Sequence, residues 1–191
     1  LYTVNGGGHD WPGAYGNMDI NSSEEAWLFF QGLCQEPVQI EEPINYLNNK
    51  INFSYEEIFI ETDENIKLKS WFIEKDLKRF KTILLFHGNA GNLFNRVYKL
   101  NELNKLDLNI LLISWRSFSG NVGKPTENFL YHDAEKAVKW LNNLGVERRN
   151  IILYGESLGT GVATELGKKN VFGGIILESP FTSIANAARI Y

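Results

Sequence analysis

Several kinds of residue that decide a protein's chemistry at a glance are scarce in this chain. Cysteine occurs once, at Cys34, so no internal disulfide can form; with no CxxC companion and no histidine cluster, neither a redox couple nor a zinc site is expected. Cys34 reads as a buried or linker thiol. No run of about 18 apolar residues is present, which excludes a membrane-spanning helix, and no basic-then-apolar signal peptide precedes the first apolar stretch. That favours a cytoplasmic location while leaving the compartment open. Basic charge is neither abundant nor clustered: 19 Lys and Arg stand against 23 Asp and Glu, a net charge of −4. The chain therefore has no electrostatic grip on nucleic acid and no polybasic hold on a lipid surface. No glycine loop ends in the Lys-Ser/Thr of a phosphate loop, which argues against a nucleotide-binding βα protein. The expected partner is a small molecule. Histidine is limited to three residues of this sequence, His9, His87 and His132.

What is present suits one globular domain. At 191 residues, 43% hydrophobic and 22% charged, the chain can bury a sizeable core and shows no disordered or repetitive stretch. Residues 1–33 read as strand ("LYTV"), glycine loop and helix, with Ser22 and Glu25 in capping-box spacing. Residues 34–50 hold two prolines and no helical period, and read as a connecting segment. The stretch "YEEIFIETDENIKLKSWFIE" alternates on both sides of Asp63, Glu64 and Asn65, the pattern of an antiparallel hairpin with two half-exposed strands. Then the rhythm changes. "TILLF", "NILLIS", "NIILY" and "GGIILES" are short apolar runs, as expected of strands covered on both faces. Between them "NLFNRVYKLNELNKL", "FLYHDAEKAVKWLNNL" and "GTGVATELGKK" read as helices, which implies βαβ units and a mostly parallel sheet.

Two motifs sit at the ends of these strands. Gly155-Glu156-Ser157-Leu158-Gly159 is a G-x-S-x-G pattern at a strand–helix joint, where a serine hydroxyl is lifted above the sheet and the flanking glycines permit close backbone crossing. Ser157 is the candidate nucleophile. His87-Gly88-Asn89-Ala90-Gly91 follows another buried strand, where glycines let N–H groups face a developing oxyanion; Asn89 and Leu158 are the expected donors. His87 is assigned to that turn. His132 opens "YHDAEKAVKWL" on a solvated face with Asp133 beside it.

The run "HGNAGN", "WRSFSGNVGKPTE", "GESLGTGVA" and "LESPFTS" makes residues 51–191 resemble the front two-thirds of an α/β-hydrolase of the ABHD and bud-emergence type serine hydrolases. The second motif departs from the family's Tyr-Arg-Gly-Tyr-Gly loop, reading Trp115-Arg116-Ser117-Phe118-Ser119-Gly120. The opening "GGGHDWPG" with "AWLFF" resembles a different branch, the C-terminal catalytic-histidine loop and last helix of polyhydroxybutyrate depolymerase and feruloyl esterase-like hydrolases. In that resemblance His9 matches the catalytic histidine. The motif order is therefore rearranged, by circular permutation or by joining two hydrolase pieces, and both explanations stay open. The family's acid, on the loop after a seventh strand, has no counterpart within these residues. Glu178, ending "GGIILE", is the substitute by position; Asp10 and Asp19 are weaker candidates.

The expected fold is an α/β-hydrolase-like, mostly parallel sheet with an N-terminal antiparallel hairpin, rearranged and incomplete relative to the family. The resemblance implies a serine hydrolase for esters of small or medium acyl groups: Ser157 attacks, His9 is the base, Glu178 orients it, and no cofactor or metal takes part. The alternative is a catalytically weak fragment or chimera acting as a binding or oligomerising scaffold. Without a seventh strand the sheet would expose an apolar edge, which invites a homodimer.

Overall fold

The computed structural model describes residues 50–181. Within them, the short apolar runs become strands where they were expected, and six strands join in one sheet of order β1-β2-β4-β3-β5-β6. β1 (Glu56–Glu61) and β2 (Lys67–Ile73) form the hairpin, turned over Asp63, Glu64 and Asn65, the last at φ 57°. Backbone bonds from Thr62 N to Ile66 O (2.9 Å) and Asn65 N to Thr62 O (3.2 Å) close it. β2 also runs antiparallel to β4 (Asn109–Ile113). The rest is parallel: β3 (Thr82–Phe86) lies between β4 and β5 (Ile151–Glu156), and β6 (Gly174–Glu178) adds beside β5. The domain assigned to residues 1–33 and all but the last residue of the connecting segment 34–50 fall outside the described residues.

Each helix has a local cause. α2 (Glu127–Asn143) starts on Thr126, whose hydroxyl accepts from Phe129 N, and ends on Gly145 at φ 86°, with Val146 N bonded to Leu141 O. That is a Schellman stop, and the left-handed residue it needs is the glycine. Asn92 and Asn95 exchange side-chain bonds around a 3₁₀ turn (Leu93–Arg96) that leads into α1 (Val97–Leu103), so the single helix expected over this stretch is split and shorter. α3 (Leu158–Lys169) follows β5 without a linker beyond Ser157.

Alternate side chains of the fully buried β3 and β4 feed two cores. On one face Leu84, Phe86, Leu111 and Ile113 pack with α2 and α3; on the other Ile83, Leu85, Ile110 and Leu112 pack with Leu93, Val97 and Leu100 and with Ile51, Phe53 and Tyr55. Two expectations need correction. β2 is not half exposed: from Ser70 to Ile73 it is buried, because it is an interior strand between β1 and β4. β6 is not covered on both faces: as the outer strand among the described residues it leaves Ile175, Ile176 and Leu177 exposed by 42–45%.

Candidate active site

The register of the parallel strands brings their C-terminal ends into line, with Phe86 opposite both Ile113 and Gly155, and Glu156 opposite Glu178. Open α/β sheets hold their ligands at such an edge. Ser157 lies there, exposed, with φ 48° and ψ −112°. A non-glycine residue with this backbone carries strain of about 1–3 kcal/mol and persists only where its surroundings impose it. They do so here: Ser157 N donates to Glu178 O at 2.9 Å, and Ser157 O accepts from Thr160 N (2.8 Å) and Thr160 Oγ1 (2.6 Å). The flanking glycines are needed for contact. A Cβ on Gly159 would stand 2.0 Å from Phe86 O, and one on Gly155 2.4 Å from Gly159 O.

The loop after β3 runs against this turn. A Cβ on Gly88 would meet Ser157 Cβ at 3.4 Å, so the His87-Gly88-Asn89 backbone and the start of α3 flank the same serine. Leu158 opens α3, and the amide of a first helical residue has no intrahelical acceptor. The loop is tied back by Arg96 Nη2 donating to Ala90 O (2.7 Å) and by Leu93 N donating to Ser119 Oγ (3.1 Å).

His87 serves this scaffold. It is buried; Nδ1 meets Gly88 O at 2.7 Å, Nε2 accepts a long bond from Trp115 N (3.4 Å), and Trp115 Nε1 donates to His87 O. Burial pushes its pKa down to about 3, so the ring is neutral and both nitrogens are occupied. His132 is exposed on α2, as expected, whereas its neighbour Asp133 is fully buried. Asp133 accepts from Arg116 Nε (2.8 Å) and Nη2 (2.9 Å), while Arg116 Nη1 pairs with Glu64. The sequence carried a signal for this, since Asp133 falls in the stripe of Leu130, Ala134, Ala137, Val138 and Leu141. A small cavity of about 40 Å³ beside this cluster is lined by Asp63, Glu64, Arg116, Phe129, His132, Asp133 and Lys136 and not by the serine, and its carboxylates are paired with Arg116 and Lys136.

Glu178, by contrast, lies at the serine's edge. Its Oε2 accepts from Tyr154 Oη at 2.6 Å and from Lys99 Nζ. Burial raises its carboxyl, but the Lys99 and Tyr154 bonds and the charges of Lys99 and Arg96 together outweigh that and hold it below its ordinary value. Sequence reading did not single out Lys99, Glu156 or Tyr154. Among the described residues, no group of three or more His, Cys, Asp or Glu is placed to hold a metal ion, and no helix is long and apolar enough to cross a membrane. His9, Asp10, Asp19 and Cys34 lie outside the described residues.

No family model matches the sequence. Individual proteins do. The chain is 32% identical over 146 residues to the alpha/beta hydrolase domain-containing protein WAV2 of Arabidopsis thaliana, matching 74% of this chain and 47% of that one. It is 32% identical over 141 residues to protein bem46 of Schizosaccharomyces pombe, covering 71% of this chain and 47% of the relative. It spans about half the length of these curated relatives. The esterase Pf2001 of Pyrococcus furiosus superposes with a TM-score of 0.59 at 25% identity, over 71% of this chain and 53% of the esterase. Sheet order, strand–serine–helix turn and these similarities agree: the chain has an α/β-hydrolase fold and resembles the ABHD and bud-emergence branch of that superfamily.

Proposed function

We propose that this chain is a serine hydrolase for carboxylic esters of small or medium acyl groups. The observation that carries the reading is Ser157 itself: an exposed serine held at φ 48° on the joint between β5 and α3, with the Gly88 loop against it. In the proposed reaction Ser157 Oγ attacks the ester carbonyl carbon while His9 takes its proton. The amides of Asn89 and Leu158 hold the tetrahedral oxyanion, a contribution worth about 3 kcal/mol for one such donor. The alkoxide leaves with the proton returned by His9, and water then cleaves the acyl-enzyme by the same route. Glu178 is the proposed orienting acid. Among the described residues the Lys99 and Tyr154 bonds both go to its Oε2, so Oε1 is the oxygen proposed to accept from an imidazole N–H.

One observation favours the alternative of a hydrolase-like scaffold with little turnover. Neither described histidine suits the base: His87 is buried and neutral, and His132 lies beside the β1–β2 turn. Within this sequence the proposed reaction therefore rests on His9. In the scaffold reading, the exposed apolar face of β6 would take a second copy of the chain.

Hydrolysis of p-nitrophenyl butyrate by the full chain separates the two. Ser157→Ala and His9→Ala should each lower the rate by about 10³-fold or more, as loss of a triad member does. A weak rate that ignores His9→Ala, together with slow labelling of Ser157 by a fluorophosphonate, would establish the scaffold.

A further inference from the structure

Beside Ser157 one cation lies between two carboxylates that come from different strands. Lys99 Nζ, on α1, donates to Glu156 Oε2 at 2.7 Å and also to Glu178 Oε2. Tyr154 Oη donates to that same Glu178 oxygen, Arg96 Nε stands 3.6 Å from Glu156 Oε2, and Nζ lies 5.2 Å from the centre of the Tyr154 ring. The pair is not an ordinary solvated surface contact, because the side chains of Lys99 and Glu156 are only 19% and 22% exposed.

The elements joined are those that shape the site. Glu156 immediately precedes Ser157, the Glu178 carbonyl receives the Ser157 N–H, and α1 continues the turn that follows the Gly88 loop. Without that ammonium Glu178 would face a second carboxylate with only Tyr154 and Arg96 to offset the repulsion, which favours its protonated form. A protonated Glu178 would neither stabilise an imidazolium nor hold one tautomer.

We propose that Lys99 is a positioning residue of this site, clamping Glu156, which precedes Ser157, to Glu178, whose carbonyl holds the Ser157 N–H, and keeping the Glu178 carboxylate ionised with its Oε2 pinned. The inference rests on the reading of Ser157 and His9 as catalytic. Among the described residues, the other groups facing the two carboxylates are Arg96, from the turn before α1, and Tyr154, from β5.

The test uses the full chain with p-nitrophenyl butyrate from pH 4.5 to 9. Lys99→Met should lower kcat about tenfold, change KM less than about twofold, and move the acidic limb of the kcat profile up by about one pH unit. Lys99→Arg should restore most of both. A Lys99→Met variant with an unmoved limb and near-normal kcat overturns the proposal, as does a Lys99→Arg variant as impaired as Lys99→Met. A readout without turnover accompanies it: the ¹³C NMR titration of the Glu178 carboxyl in a Ser157→Ala background, assigned with Glu178→Gln. Its midpoint should rise when Lys99 becomes Met, and an unchanged midpoint overturns the proposal. A raised midpoint in a chain whose wild type shows no Ser157-dependent hydrolysis supports the carboxylate clamp and overturns the hydrolase reading instead.

Discussion

Ser117 and Ser119 hold left-handed backbone, at φ 65° and 54°, in the loop that follows β4. These are positions where the resembled family has glycine, and a side chain there costs about 1–2 kcal/mol. The serines differ in what they give back. Ser117 Oγ donates to Gly123 O at the surface, whereas Ser119 Oγ bonds Ser114 Oγ (2.8 Å) and accepts from Leu93 N. Ser117→Gly should thus be neutral or stabilising by up to about 1 kcal/mol, and Ser119→Gly should be less favourable by about 1 kcal/mol because Leu93 N loses its acceptor. Urea unfolding midpoints of the two variants decide it. His87 gives a pH prediction. Its pKa falls from 6.5 to about 3 on folding, so below 6.5 the unfolded chain binds a proton that the native chain refuses. Stability from this group is whole above pH 6.5 and declines toward pH 3 at up to about 1.4 kcal/mol per unit. The stability gap between wild type and His87→Gln, measured by urea unfolding, should narrow from pH 7 to 4.5; a constant gap would contradict the neutral buried ring.

At the scale of elements, the β5–Ser157–α3 joint depends on backbone contact. Gly159→Ala would place Cβ against the carbonyl of β3, which cannot yield as a flexible side chain does; the expected loss is above about 3 kcal/mol, read from thermal or urea unfolding. Gly161, in the same helix, has only Phe181 at 3.5 Å from its Cβ position. Gly161→Ala should therefore stabilise by up to about 1 kcal/mol through helix propensity. The elbow motif was legible because strand, serine and helix are adjacent in the chain, and both glycines are required by local crossing. α1 was less so. Its stretch has apolar residues at helical spacing throughout, but the Asn92–Asn95 reciprocal cap and the Leu93–Ser119 bond favour a 3₁₀ entry, and the latter partner lies 26 residues on.

At the scale of the molecule, Arg116 ties the hairpin turn, the loop after β4 and α2 together. Its guanidinium is 2% exposed, doubly bonded to Asp133, paired with Glu64, and 4.1 Å from the centre of the Phe129 ring. Arg116→Met alone leaves a buried carboxylate unpaired and should cost about 3–5 kcal/mol, while Arg116→Met with Asp133→Leu should recover most of it. Chemical unfolding of the single and double variants checks this coupling. The pairing itself is not written in the sequence: Asp133 falls in the apolar stripe of α2, but nothing in that period names Arg116, 17 residues away, as its partner. The sequence by itself determined the alternation of strands and helices, the hairpin and the Gly-x-Ser-x-Gly joint, because hydrophobic period, turn residues and glycine contacts are written within a few positions of one another. Only the tertiary structure decided that β2 is interior and β6 is outer, that Asp133 is buried against Arg116, and that Lys99 meets Glu156 and Glu178 beside Ser157. Strand order and ion pairing join residues tens of positions apart, and no local period encodes which of them will meet.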